Sequence, residues 1–134
     1  MGIEKTMEII PNILTFLMLN TTVTALFGHR ITGDDVPDGQ TYPYAYMWEV
    51  VSPTQHHYKG GAGRIALIQC DVIDDDIAGV DLAKRTLFDA LDGYKGMMGN
   101  VNVGYCFVNT ASVPKDPDQQ SYRRILEINV ATND

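Results

Sequence analysis

The residue types that most often carry out catalysis or bind metal ions are few in this chain and poorly spaced for either task. Its three histidines are His29, His56 and His57. Adjacent residues of an extended chain point in opposite directions, so at most one of His56 and His57 could share a metal ion with the acidic run Asp74–Asp76. That run directly precedes an apolar-periodic segment, where aspartates typically cap a helix. We therefore expect no functional metal and no cofactor.

The chain also lacks sequence motifs for nucleophilic catalysis and for phosphate binding. A serine or cysteine nucleophile needs a histidine base and an orienting carboxylate, and the chain has no G-x-S-x-G, Walker A or G-x-G-x-x-G pattern. The glycine-rich residues 60–63 precede a predicted strand, whereas a phosphate-binding loop leads into a helix. Cys70 and Cys106 lie outside any C-x-x-C pattern and are predicted to be small buried residues. No catalytic residue is predicted.

The size and charge of the chain narrow the class of protein. Its 134 residues suit a single domain, residues 1–134. Ten basic residues against seventeen acidic ones give a net charge of −7, which disfavours a protein that grips nucleic acid or an anionic membrane. The apolar run Ile9–Leu19 is about half the ~20 residues needed to span a bilayer, and Glu4 and Glu8 precede it where a secretory signal has basic residues. We expect a soluble, intracellular protein.

The first predicted helix runs from about Thr6 to Leu19, and apolar residues fill more than half of its circumference. Pro11 requires this helix either to begin late or to kink. An apolar arc this wide needs two buried contacts, and it favours a surface covered by other subunits. Asn20 or Thr21 is then expected to cap a short second helical turn that ends at Gly28.

Alternating and periodic segments complete the predicted fold. The segments are strands at about Arg30–Thr32, Tyr42–Val51, Arg64–Ile73, Val101–Val113 and Ser121–Ala131, and a second long helix at Ile77–Leu91. The aromatic face of Tyr42–Trp48 is expected to pack beneath the helices, because no basic residue is interleaved for base stacking. The two apolar faces of Arg64–Ile73 predict a central strand covered on both sides. The order α-β-β-β-α-β-β is typical of the α+β class: an antiparallel sheet of about five strands with two main helices packed on it.

Two features predict a surface that other subunits cover. Leu82 lies on the charged side of the second long helix, about 140° from its apolar stripe. The predicted loop Pro53–Gly63 carries a cluster of large polar and aromatic side chains, namely His56, His57, Tyr58 and Lys59. These five side chains are the candidate interface residues.

The order and spacing of several segments carry a family resemblance. The segments are Ala25-Leu26-Phe27-Gly28-His29-Arg30-Ile31, Tyr42-Pro43-Tyr44, Arg64-Ile65-Ala66-Leu67-Ile68-Gln69-Cys70-Asp71-Val72, Leu91-Asp92-Gly93-Tyr94 and Tyr122-Arg123-Arg124-Ile125-Leu126-Glu127-Ile128. Together they resemble the tail-completion, or tail-terminator, proteins of long-tailed bacteriophages. The similarity covers almost the whole chain, from about residue 5 to residue 131.

The resemblance implies a structural virion protein that is not an enzyme. Such a protein forms a homohexameric ring at the head-proximal end of the tail tube, stops tube polymerisation and joins the tail to the head connector. Its implied partners are other copies of itself, the tail tube protein and a head-completion or connector protein, and it does not bind a membrane. DNA would pass through the lumen without specific binding, which an excess of negative charge favours.

The implied location is the tail or neck of the virion, with assembly in the cytoplasm of the bacterial host. The five candidate interface residues would then contact a neighbouring subunit or the tail tube. Two alternatives stay open at this point. One is a head-completion or stopper protein of the same neck, and the other, from a different class, is a small metal-dependent hydrolase.

Overall fold

A computed structural model describes residues 9–34, 41–50, 64–115 and 120–133, and these residues form three helices and six strands. The helices are α1 (Ile9–Met18), α2 (Thr21–Phe27) and α3 (Ile77–Leu91). The strands are β1 (Ile31–Gly33), β2 (Tyr44–Glu49), β3 (Arg64–Asp74), β4 (Gly96–Met98), β5 (Val101–Val113) and β6 (Tyr122–Thr132). The chain order is α1-α2-β1-β2-β3-α3-β4-β5-β6.

The six strands form one sheet in the order β1-β2-β3-β6-β5-β4. All neighbours are antiparallel except β1 and β2, which run parallel. The predicted α+β class, with a largely antiparallel sheet and two main helices, is confirmed. The sheet has six strands and not five, because β4 has only three residues and is too short to show an alternating pattern in the sequence.

One face of the sheet, here called the inner face, packs against the helices. Its side chains form the core with α1, α2 and α3. The buried inner-face residues are Ala45, Met47, Ala66, Ile68, Cys70, Val72, Val103, Cys106, Val108, Leu126, Ile128 and Val130. Among the described residues no helix covers the opposite, outer face, so the domain has a single sheet with helices on one side only.

Both predicted helix caps are present. The Asn20 side chain accepts hydrogen bonds from the N–H groups of Thr22 and Val23, at 3.0 and 3.1 Å, and starts α2. The Asp76 carboxylate accepts from the N–H of Gly79 at 2.8 Å and starts α3. These side chains satisfy N–H groups that have no partner within the helix, which is why α2 and α3 begin at these positions.

The wide apolar arc of α1 is buried by the chain itself. At one edge of the sheet, β1 approaches so closely that a Cβ atom on Gly33 would lie 2.8 Å from Cγ2 of Ile10. At the other edge, Oδ1 of Asn12 accepts a hydrogen bond of 2.7 Å from the N–H of Asn100, in the turn between β4 and β5. The sheet therefore curls around α1. The two predicted contacts exist, but both come from this chain, so the arc does not indicate a neighbouring subunit.

Two predictions about strand faces are wrong: which face of β2 packs against the helices, and that both faces of β3 are covered. In β2 the register with β3 places Ala45 and Met47 on the inner face, so the aromatic side chains of the strand point away from the helices. In β3 the outer face is not covered by a helix, and Ile65 is 41% exposed. Alternation shows which residues share a face, but both strands carry apolar residues on both faces, so alternation could not show which face lies inward.

Several predictions fall wholly or partly outside the described residues. These are the start of the first helix before Ile9 and the loop Pro53–Gly63 with its four candidate residues. The predicted bounds of α3 and β5 match the structure. No single helix of the described residues is long and apolar enough to cross a membrane; α1 and α2 pass that test only as a pair, and they are bent by 92° at the break between them.

Replacing Ile13 tests the role of α1 in the core. Ile13 is fully buried, so Ile13→Ala removes its packing and leaves a cavity, and we expect the free energy of unfolding to fall by about 2–5 kcal/mol. The matched control is Thr15→Ala on the exposed side of α1, with an expected change within about 0.5 kcal/mol. Urea unfolding followed by circular dichroism at one fixed protein concentration measures both. A decrease in the free energy of unfolding of less than about 1 kcal/mol for Ile13→Ala would contradict the role of α1 in the core.

Candidate assembly surfaces

The outer face of the sheet carries two pairs of stacked aromatic side chains. The rings of Tyr46 and Trp48 on β2 lie 5.8 Å apart with an interplanar angle of 20°. The rings of Tyr105 and Phe107 on β5 lie 5.7 Å apart at 6°. Because each pair joins residues two positions apart on one strand, the pleat itself places the rings side by side.

A polar cluster on the same face surrounds Asp71. This aspartate is buried although it points away from the helices. Its carboxylate accepts from Nε2 of Gln69 at 3.0 Å and from the Tyr46 hydroxyl at 3.5 Å, and it lies 3.4 Å from a guanidinium nitrogen of Arg123. Burial and, to a lesser degree, the charge of Asp71 raise the pKa of Tyr46 above its ordinary value. The carboxylate is thus bound by neighbours on three strands, and the cluster serves to fix the outer face.

Most of the large apolar side chains that are exposed among the described residues lie at one corner of the outer face. β6 lies between β3 and β5, and the register aligns Ile65 of β3 with Tyr105 of β5 across Ala131, and Leu67 with Phe107 across Asn129. With Val50 and Met97 beside them, these side chains form what we call the apolar corner. It holds five of the eight large apolar side chains that are exposed among the described residues.

The size of the apolar corner sets it apart from ordinary surface. From β2 to β4 it crosses four strand spacings of about 4.8 Å each, so it spans roughly 19 Å across the sheet. Single exposed apolar residues are common on protein surfaces, whereas a contiguous patch of them marks an interaction site. The arrangement therefore supports protein–protein contact.

The candidate Leu82 is exposed, as predicted, with 53% of its surface accessible. It lies on α3, in the helix layer and thus on the opposite side of the sheet from the apolar corner. The other four candidates, His56, His57, Tyr58 and Lys59, lie outside the described residues. In the sequence their segment follows Val50 of the apolar corner. A role in an interface stays a prediction for all five residues.

Sequence reasoning missed most of the apolar corner. Its members come from β2, β3, β4 and β5, and no single stretch of sequence contains more than two of them. Tyr105 and Phe107 alternate with Cys106 and Val108, so β5 has apolar residues on both faces. Only the pairing of β5 with β6, and of β6 with β3, brings the exposed side chains together.

A second surface feature is a groove between α3 and β5, here called the α3–β5 groove, with a volume of about 640 Å³. Its lining is polar and charged apart from Phe88, and consists of Asp81, Lys84, Arg85, Phe88, Asp89, Thr110, Ser112 and Arg124. Arg124 of β6 donates through Nε to Asp81 at 2.8 Å, which ties the sheet to α3. Lys84 lies 4.0 Å from the same carboxylate oxygen of Asp81.

The described residues do not assemble groups for metal or thiol chemistry. Within the part of the chain that the structure describes, no three His, Cys, Asp or Glu side chains come together as metal ligands. Cys70 and Cys106 are buried and free, as predicted for small core residues. Burial raises the pKa of Cys106 to about 12 and raises that of Cys70 even further, so neither thiol forms a nucleophilic thiolate near neutral pH.

The exposed apolar corner on a one-sided sheet is suited to contact with another protein chain. The sequence pattern of one family, "Tail completion protein gp17", matches residues 11–133. The chain therefore belongs to this family of structural virion tail proteins. The resemblance inferred from the sequence, and with it the tail of a virion as the location, is confirmed.

A solved structure shares the fold. One chain of a structure titled "Virion of native gene transfer agent (GTA) particle" is 20% identical in sequence, with a TM-score of 0.69. The alignment covers 91% of this chain and 92% of the chain in that particle. At this level of identity the likeness shows a common fold. No curated protein matches the chain.

Thiol labelling tests the burial of the two cysteines. Because both side chains are buried and their pKa values are raised, we expect almost no reaction with Ellman's reagent at pH 8 in the folded protein. In guanidinium chloride both thiols should react within minutes. Rapid labelling of either thiol without denaturant would show that the inner face is open at that position.

Proposed function

We propose that this chain forms a closed homohexameric ring at the head-proximal end of the tail tube, where it ends tube polymerisation and joins the tail to the head connector. Membership of the tail-completion family supports this assignment. The number six rests on the family resemblance alone. The proposed partners are other copies of this chain, the tail tube protein and a head-completion or connector protein.

The observation that carries the proposal is the apolar corner. The α1 arc is covered within the chain, whereas the apolar corner holds five of the eight large apolar side chains that are exposed among the described residues. In a ring each subunit presents one surface to the subunit ahead and a different surface to the subunit behind. The apolar corner and the helix layer with Leu82 lie on opposite sides of the sheet, so the chain has two different surfaces that could serve such a head-to-tail contact.

The net negative charge of the chain supports a ring that surrounds DNA without binding it. A net charge of −7 repels the phosphate backbone, so DNA could pass through the lumen of the ring without being held. The proposed mechanism is geometric and not chemical. One side of the ring copies the contacts of a tube subunit, and the other side does not accept a further tube subunit. We propose no enzymatic activity and no membrane contact for this ring.

Native mass spectrometry tests the ring. We expect six copies of the 14.8 kDa chain in the assembled species. Phe107→Ala removes a 41% exposed ring from the apolar corner and should weaken association about tenfold or more. The matched control is Asn109→Ala, two residues along β5 on the same face but outside the apolar corner, which should assemble as the wild type does. A wild-type chain that stays monomeric at micromolar concentration would contradict the ring.

Deleting residues 55–61 tests the predicted loop. Fully extended, the loop Pro53–Gly63 spans up to about 36 Å, enough to reach a neighbouring subunit or the tail tube. Removing these seven positions should weaken assembly or tail joining and leave the fold of the subunit intact by circular dichroism. Normal rings and normal numbers of infectious particles from the deletion variant would show that the loop has no such role.

A further inference from the structure

The outer edge of β5 is covered by the chain itself along only part of its length. β4 pairs with β5 at residues 101–103. The carbonyl of Cys106 then accepts a hydrogen bond from the N–H of Gly93 at 2.7 Å. The N–H of Val108 donates to the Asp92 carboxylate at 2.9 Å. Beyond Val108, β5 pairs with β6 on one side, and no described strand lies on the other side.

The open part of this edge presents backbone groups to another chain. Cys106 and Val108 direct backbone groups away from β6, and the register with β6 is unbroken from there to Val113. In an antiparallel ladder alternate residues direct their N–H and carbonyl groups to the same side. Thr110 and Ser112 therefore each direct an N–H and a carbonyl to the open edge.

The open edge also lacks the features with which proteins usually block the addition of a strand. Residues 109–113 are Asn, Thr, Ala, Ser and Val, so they carry no charge and no proline, and no bulge interrupts them. The first four of these residues are exposed. Edges that must stay single are protected by lysine, proline or a bulge, whereas an edge that accepts a peptide strand is left free. This edge is therefore suited to accept a strand.

A groove with a local positive charge runs beside the open edge. Two outward-directed residues of the edge line the α3–β5 groove, so an added strand would direct every second side chain into it. The charged groups of the groove are three basic and two acidic side chains, in a chain of net charge −7. Asp81 is shared by Lys84 and Arg124, so this cluster keeps one positive charge in excess. Acidic side chains of a partner would complement that charge.

We propose that the open edge of β5 binds an extended segment of another protein, whose backbone adds a strand beside residues 109–113. The acidic side chains of that segment enter the α3–β5 groove, toward Lys84 and Arg124. Its apolar side chains lie on the outer face, beside Ala111 and Val113. The partner is thus defined by its chemistry: an extended segment that alternates acidic and apolar residues.

The strands of this chain do not meet that requirement, which favours a different protein over a second copy. No described strand carries two acidic residues on one face, and all six are already paired within the sheet. Because a single subunit presents the same open edge, the inference does not depend on the ring proposed above. It adds a separate contact between this chain and a neighbouring protein.

A synthetic peptide tests the strand addition. The peptide is a heptapeptide of alternating valine and glutamate with blocked ends, and its binding to the full chain is followed by fluorescence anisotropy and by hydrogen–deuterium exchange. At saturation we expect amide exchange at Thr110 and Ser112 to slow at least fivefold. A heptapeptide of alternating valine and lysine should bind at least fivefold more weakly. Unchanged exchange at both amides, or equal affinities for the two peptides, would overturn the proposal.

Two methylated peptides separate strand pairing from the binding of an anion alone. One form of the valine–glutamate peptide is N-methylated at its glutamates, and the other at its valines. In either strand direction only one of these two sets of N–H groups faces β5. One form should therefore bind at least fivefold more weakly than the other, although both have the same charge. Equal affinities of the two forms would overturn the strand addition.

A pair of protein variants tests the groove. Lys84→Gln should weaken binding of the valine–glutamate peptide at least threefold, whereas Lys95→Gln, at an exposed lysine outside the groove, should bind it as the wild type does. Equal affinities of the two variants would contradict the placement of acidic side chains in the groove. Slow exchange at Thr110 and Ser112 in the assembled chain without peptide would assign the edge to a second copy and overturn the proposal. A monomeric chain that binds the peptide contradicts the ring alone.

Discussion

The fold depends on one helix that contacts both edges of a single sheet. α1 packs against β1 through the close approach of Ile10 to Gly33, and it binds the β4–β5 turn through Asn12. A flat sheet of six strands could not bring its first and last strands to the same helix, because about five strand spacings, roughly 24 Å, separate them. The sheet must curl, and the core closes on the concave side. The convex, outer face is left without a helix among the described residues.

This constraint accounts for the surface as well as the core. All the long helices lie on the inner face, so apolar side chains that alternate outward on β3, β4 and β5 stay exposed. At one end of the outer face, Asp71 and its three neighbours satisfy each other. At the other end, the apolar corner has no such polar partners. The outer face of this domain is thus divided between a closed polar cluster and an apolar area suited to another protein chain.

Local signals in the sequence were sufficient to predict the elements but not their faces. The Asp76 cap and Gly93 mark the limits of α3, and the alternation of β5 marks its length, because both signals act within a few residues. The orientation of β2 was mispredicted because tyrosine and tryptophan pack well in a core or on a half-exposed face. Ala45 and Met47 face inward instead, opposite Val72 and Cys70 of β3. The curl around α1 depends on contacts between residues that are far apart in sequence, such as Asn12 and Asn100, which no local pattern contains.

The sequence likewise predicted only part of the candidate assembly surfaces. Leu82 stood out because a single helix wheel shows it, whereas the apolar corner needs the register of four strands. The family could be predicted because the order of many weak motifs along the chain is more specific than any one of them. The task that the chain performs in the tail depends on contacts between chains, which a single subunit does not contain.

The most direct test of the proposed function, in which this chain ends the tail tube by closing a ring on it, is the tail-length distribution of particles made without the chain. Electron micrographs of such a preparation should show tubes of irregular, excessive length that are not joined to heads, and the wild-type chain supplied in trans should restore uniform, joined tails. Tails of normal, uniform length joined to heads in its absence would contradict the account.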